Sequence, residues 1–150
     1  MSQHHNLPEP IRPRWRDLSE VARIQSASFR RDLAYKHWML AFFWLVPGVT
    51  FLIVRDGDVI TGCIISDTHR GRVRIMNIAV HPDYRQRGIG RHLMQAVIDQ
   101  RPSTSVVLMV QDHNTAAQRL YEQLGFIRTG YHPAYYGSGN PGIEMTLKRS

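Results

Sequence analysis

The sequence has one cysteine, Cys63, which excludes a disulfide within the chain. It has almost no lysine: only Lys36 and Lys148, so arginine supplies nearly all of its positive charge. Long apolar runs are missing too. The longest, Trp38 to Val46, falls far short of the ~20 residues that span a bilayer. Met1 to Arg16 is polar and proline-rich and lacks the apolar stretch of a secretion signal. There is no internal repeat and no low-complexity tract. His69, His113 and His132 stand at no ligand spacing with cysteines or acids, so no metal is expected, and no Ser/His/Asp signature occurs. The expectation is a cytoplasmic, globular protein without a membrane span. Residues 1–9, with His4 and His5, read as a mobile tail on a single domain covering 1–150.

What is present in excess is positive charge, a formal net +7. The planar guanidinium fork suits phosphate, so the balance fits an anionic cofactor, an acidic substrate or a nucleic acid. No nucleic-acid recognition motif accompanies it, and such a partner is not expected.

Ile11 to Arg14 reads as a short first strand. Asp17-Leu-Ser-Glu20 has the pattern of a capping box, and Leu18, Val21 and Ala22 recur at helical spacing up to about Phe29. An aromatic segment to about Leu45 follows, ended by Pro47-Gly48. It holds Tyr35, Trp38, Phe42, Phe43 and Trp44, either a helix and lip covering a sheet, or an apolar wall for a ligand or a dimer contact. Thr50 to Arg55 and Val59 to Ile65 are β-branched and aromatic, with Asp56-Gly57 between them as a hairpin turn. Arg72 to Val80 and Val106 to Val110 read as strands. Leu93, Met94, Val97 and Ile98 mark one amphipathic helix, and Ala117, Leu120, Tyr121 and Leu124 another, closed by Gly125. Phe126 to His132 and Ile143 to Lys148 complete the set. Hairpins followed by strand–helix alternation predict an α/β (α+β) fold: a mixed, mostly antiparallel sheet of about six or seven strands flanked by about four helices.

The stretch with most chemical content runs from Ile75 to Arg91. A strand leads into a turn containing Gly88 and Gly90, where a helix starts. The first N–H groups of a helix have no intrahelical acceptor, glycine lets a ligand come close, and the helix dipole adds positive potential. Such a turn either suits a pyrophosphate, with Arg85, Arg87 and Arg91 adding charge, or is only a strand-to-helix turn that needs flexible glycines. Neither the dinucleotide fingerprint nor the P-loop pattern fits these residues.

Arg85-Gln-Arg-Gly88-Ile-Gly90 resembles the acetyl-CoA pyrophosphate loop of the GNAT superfamily of N-acetyltransferases. Asn77-Ile-Ala-Val80 and Pro82-Asp-Tyr84 resemble the strand and turn that lead into it. Asn114-Thr-Ala-Ala-Gln-Arg-Leu-Tyr-Glu-Gln-Leu-Gly-Phe126 is similar to the second signature of that superfamily, and the two occur in the expected order. Within it, the chain looks like the RimI-like N-terminal protein acetyltransferases. The resemblance is firm from about Arg72 to Phe126 and weaker at both ends.

The resemblance implies acetyl-CoA as co-substrate and direct attack by an amine on its thioester. It implies cofactor contacts from Arg85, Gln86, Arg87, Gly88, Ile89, Gly90 and Arg91, and from backbone groups of Ile78, Ala79 and Val80. Asn114 is expected either to contact the pantetheine arm or only to cap its helix. Tyr121 matches the tyrosine that protonates the leaving thiolate, its alternative being a packed core residue. The glutamate base of RimI-like enzymes is absent, because Met109 stands at that position, and Arg74 occupies another place where relatives carry a base or a tyrosine. His81 is the substitute considered first, with Glu144 and Asp112 behind it. Without a strong base, an α-amine of pKa ~7.7–8.0 is favoured over a lysine amine at ~10.4. Tyr131, Tyr135 and Tyr136 are expected either to wall an acceptor groove or to pack a hairpin. The acceptor is expected to be the N-terminus of a protein or peptide, or else a small amine such as a polyamine, amino acid or drug. A CoA-binding module without turnover is the third reading. Monomer and homodimer are both compatible with the sequence. Cys63, following Gly62 in a strand, reads as a core residue.

Overall fold

The structure, a computed structural model, describes residues 6–149. The helices are α1 (Leu18–Ser28), α2 (His37–Leu45), α3 (Ile89–Gln100) and α4 (Thr115–Gln123). The strands are β1 (Thr50–Asp56), β2 (Val59–His69), β3 (Arg72–Val80), β4 (Val106–Gln111), β5 (Ile127–His132) and β6 (Gly142–Leu147). They form one sheet in the order β1-β2-β3-β4-β6-β5. Every neighbouring pair is antiparallel except β3–β4. This is the mixed, mostly antiparallel sheet with four helices that the strand and helix patterns predict.

Two cores lie on opposite faces of the sheet. On one, Leu93, Met94, Val97 and Ile98 of α3 pack with Ile64, Val73, Ile75, Leu108 and Met145. On the other, Leu18, Val21 and Ile24 of α1 and Leu40 of α2 meet Phe51, Ile53, Cys63 and Ile65. Gly62 permits the seating of α3: a Cβ there would lie 2.8 Å from Ile89 Cγ2 and 3.1 Å from Leu93 Cδ1. Burial pushes the Cys63 thiol up to about 12, which fits a core residue rather than a nucleophile.

A bulge decides which residues of β3 face which core. The β2–β3 register slips between Ile65 and Ser66, which pair with Asn77 and Ile75, so Met76 is the extra residue. Before it, Val73 and Ile75 face α3; after it, Ile78 and Val80 do, while Ala79 joins the α1 core. Asn77 is thereby turned under α1 and pairs with Gln25. Gln25 Nε2 donates to Asn77 Oδ1 at 2.7 Å, and Asn77 Nδ2 donates to Gln25 Oε1 at 3.0 Å.

Three local expectations need correction. Ile11 to Arg14 is not a strand: only Ile11 bridges to Ile53, because Pro10 and Pro13 have no N–H to extend a ladder. Asp17 does not cap a helix with Glu20. A 3-10 turn, Trp15–Asp17, precedes α1, and the Asp17 carboxylate takes the Arg14 N–H at 2.7 Å and the guanidinium groups of Arg14 and Arg55. Glu20 instead accepts the Ile60 N–H at 2.9 Å. The β1–β2 turn is Gly57-Asp58, since Asp56 pairs with Val59. His4 and His5 lie outside the described residues. Within the rest of the expected tail, Leu7 packs against the α3 core and the Pro8 carbonyl lies 2.8 Å from His92 Nε2.

Candidate active site

The site originates in the one parallel pairing. β3 and β4 are joined only at Val73, Arg74 and Ile75, opposite Val106, Val107 and Leu108. β4 stays paired with β6 along its whole length, from Val106–Leu147 to Gln111–Gly142. β4 therefore leaves β3 in company with β6. The edge of β3 from Met76 to Val80 is left without a strand partner on that side. The gap is a cleft of about 980 Å³ lined by both strands, by the segment between α1 and α2, and by the β5–β6 connection.

Tyr121 and Asn114 project from α4 and its N-terminus into this lining. Tyr121 is only 6% exposed. Burial pushes its phenol up to about 12, and no protein hydrogen bond involves its hydroxyl among the described residues. It is thus a proton-bearing group at neutral pH with its donor free. Asn114 caps α4, its Oδ1 accepting the Ala117 N–H at 3.2 Å. Its amide nitrogen has no protein acceptor among the described residues, so capping and ligand contact are compatible. Tyr35 and Tyr136 also line the cleft, and burial raises both phenols. The Tyr35 hydroxyl donates to the Met76 carbonyl at 3.4 Å, at the bulge. Tyr135 also lines the cleft, whereas Tyr131 is exposed outside it.

The glycine turn lies beyond the C-terminal end of β3, outside the cleft lining. Gln86 and Gly88 have positive φ, 63° and 80°. No side chain caps α3, so its leading N–H groups stay available to an anion. Gly90 lies between Leu120 and Val80, where a Cβ would make ordinary contact, 3.6 and 3.7 Å. Arg91 donates to Gln123 at 3.3 Å, and Arg87 stacks on Tyr84 with 4.8 Å to the ring centre. Arg85 has no ion pair among the described residues. Of the residues expected to hold cofactor, Ile78 and Asn114 line the cleft. Ala79, Val80 and the segment Arg85 to Arg91 continue from its end.

His81 is placed away from this centre. Its Nδ1 accepts the Asp83 N–H at 3.1 Å, its ring packs edge-on against Tyr84, and it does not line the cleft. Asp112 is also outside. Glu144 is inside: it lines the cleft and pairs directly across β4–β6 with Met109. Directly opposed residues share a sheet face, so a carboxylate stands beside the methionine. Its Oε1 accepts from Thr129 Oγ1 at 2.7 Å. Arg74 lines the cleft with its guanidinium held by both oxygens of Asp67, at 2.9 and 2.6 Å. The strand pattern contains Met109 and Glu144 but not their pairing, which depends on register. Gln25 offered one cue, a polar residue four positions after Val21 on the buried face of α1.

Residues 15–126 match the Acetyltransferase (GNAT) family, and the chain belongs to that family. Among its relatives is the ribosomal protein bS18-alanine N-acetyltransferase of Salmonella typhimurium. The two are 44% identical over 70 residues, 42% of this chain and 47% of that protein. An uncharacterised protein of Mycobacterium leprae is 42% identical over 140 residues, 89% of this chain and 38% of that protein. The chain thus spans about half or less of the length of these two. The crystal structure of the ribosomal-protein-S18-alanine N-acetyltransferase of Escherichia coli has the same fold, with a TM-score of 0.82 over 94% of this chain and 93% of that one, at 24% identity. Among the described residues, no helix is long and apolar enough to cross a membrane, and no group of three His, Cys, Asp or Glu is placed to hold a metal.

Proposed function

We propose that this chain transfers acetyl from acetyl-CoA to the N-terminal α-amine of a protein or peptide. The observation that carries the reading is the open edge of β3, with a free phenol and a free amide nitrogen beside it and an uncapped helix at its end. The family match and the activity named for the Salmonella relative support it.

The residues fit such a cofactor. The N–H groups at the start of α3, with Arg85, hold the pyrophosphate. The Ile78, Ala79 and Val80 backbone pairs with the amides of the pantetheine arm, as an added strand would, and the Asn114 amide nitrogen donates to it. When bound, the cofactor supplies a thioester whose acetyl group passes to the amine nitrogen, leaving an amide and a thiol. Tyr121 gives its proton to the departing sulfur, for which a buried, protonated phenol is suited. Glu144 accepts the proton lost by the amine nitrogen, directly or through a water, in place of the carboxylate that Met109 removes. An α-amine is also partly neutral near pH 7.4, which lightens the demand on that base.

The test is thiol release from acetyl-CoA with peptides bearing free N-termini, comparing wild type with Tyr121→Phe. The expected result is turnover that falls roughly a hundredfold or more in the variant. Tight acetyl-CoA binding without turnover of any amine would refute catalysis and leave a binding module.

A further inference from the structure

The cleft has a second charged end. Arg70 and Arg72, at the turn between β2 and β3, line it, and Arg31 and Lys36, from the α1–α2 segment, line the cleft as well. None of these four makes an ion pair among the described residues. Arg74 beside them is already neutralised by Asp67, and Asp32 is engaged by Arg30 at 3.0 Å. Unpaired cations in a concave site focus potential on whatever enters it.

The cofactor's phosphates belong elsewhere. The glycine turn follows the C-terminal end of β3, whereas Arg70 and Arg72 stand at its start. Nine residues of strand separate the two ends, roughly 26 Å at the rise of a β-strand. One anion site serves the cofactor, and the other faces the acceptor side of the cleft. Between them stands Glu144, the carboxylate that meets the acceptor's amine. Charge along the cleft therefore runs from acid to base, the reverse of an acceptor with an amine at its tip and carboxylates behind it.

We propose that the Arg70 and Arg72 end of the cleft is an anion subsite that selects acceptors carrying carboxylates close to the reacting amine. The favoured substrate class is a peptide whose free N-terminal residue is followed by Asp or Glu. This inference rests on the reading of the chain as an amine acetyltransferase.

The experiment measures kcat/KM for three peptides identical except at positions 2 to 4, which are acidic, neutral or basic, with aspartate and glutamate as free amino acids in a separate arm. The acidic peptide is expected to exceed the neutral one by about tenfold at low salt, with the ratio shrinking as ionic strength rises. In Arg70→Asn/Arg72→Gln the acidic-to-neutral ratio should fall toward one. Asparagine tolerates the positive φ that Arg70 adopts, 52°, so the turn is retained. The salt series on the wild type decides the matter even if the variant fails to fold. Neutral peptides turned over as well as acidic ones would overturn the subsite and leave the transferase intact. Turnover of acidic amino acids but of no peptide would keep the anion subsite and overturn the peptide acceptor. No turnover of any amine would overturn both.

Discussion

The Gln25–Asn77 pair makes a quantitative claim about how the cleft is held. Gln25 is fully buried and Asn77 is 8% exposed. Besides the two bonds between them, Gln25 Oε1 accepts the Tyr35 N–H at 3.3 Å, tying down the segment that carries the Tyr35 phenol into the cleft. In Gln25→Leu the Asn77 amide and the Tyr35 N–H lose these partners. Each orphaned buried group costs about 1–3 kcal/mol, and the leucine recovers part of this by apolar burial, so a net loss of about 3 kcal/mol is expected. For a chain of this size that lowers Tm by about 6–12 °C. Asn77→Leu should cost a similar amount, because it orphans the Gln25 amide. The double substitution removes donors and acceptors together and should cost less than the sum of the two by about 2–3 kcal/mol. Urea unfolding of the four proteins measures this coupling. If the single losses simply add, the two amides do not act as a unit and do not lock α1 to β3. Activity gives a second readout, since a loosened Tyr35 segment should raise the acceptor KM.

Asp17 gives an acid-stability prediction. Burial would raise its carboxyl, but hydrogen bonds from Arg14 and Arg55 and the Arg55 charge prevail and hold it at about 2, against an ordinary 3.8. A depressed carboxyl contributes stability above its unfolded pKa and loses it as pH falls through the folded one. About 2 kcal/mol should therefore disappear between roughly pH 4 and pH 2, and Asp17→Asn should remove it at neutral pH and flatten that limb in urea titrations. Gly62→Ala forces Ile89 and Leu93 outward, displacing the start of α3. Acetyl-CoA affinity measured by calorimetry should fall about tenfold or more, and unchanged binding would mean that α3 is not seated by this contact. Glu144→Gln should lower kcat at pH 7 by about ten- to a hundredfold and make the rate follow the neutral fraction of the acceptor amine. An unaltered pH–rate profile would remove Glu144 from the proton path.

Most of the fold is legible in the sequence because burial leaves a periodic mark. Arg72 to Val80, the apolar face Leu93-Met94-Val97-Ile98 and the run from Val106 carry that mark, and the elements found there agree closely with those expected. Ile11 to Arg14 misleads because its flanking prolines outweigh its short apolar pattern. Asp17 misleads because a buried carboxylate beside Arg55 gains more from two guanidinium groups than from a helix terminus, and nothing local announces an arginine 38 positions away. The two motifs point to the glycine turn and Tyr121 as candidates, since each works through local backbone geometry. The proton acceptor is harder. His81 is chemically apt, but the turn after β3 engages its ring nitrogen and holds it out of the cleft. Glu144 becomes its rival only through the pairing with Met109, which is a property of register and invisible in either strand alone.

The same register accounts for the opening of the cleft. A parallel pair joined at three positions has little to hold it together, while β4 keeps six partners on β6. Where the two directions conflict, β4 follows β6, and the β3 backbone beyond Ile75 loses its neighbour on that side. Exposed backbone of this kind is normally a liability at a sheet edge. Here it faces a cleft, where a ligand with amide groups can complete the ladder. The bulge at Met76 sits where the strands part and turns Asn77 under α1, so one extra residue both ends the pairing with β4 and anchors the wall opposite it. The open edge is therefore maintained from two sides, by β6 drawing β4 away and by the Gln25–Asn77 pair keeping β3 from following.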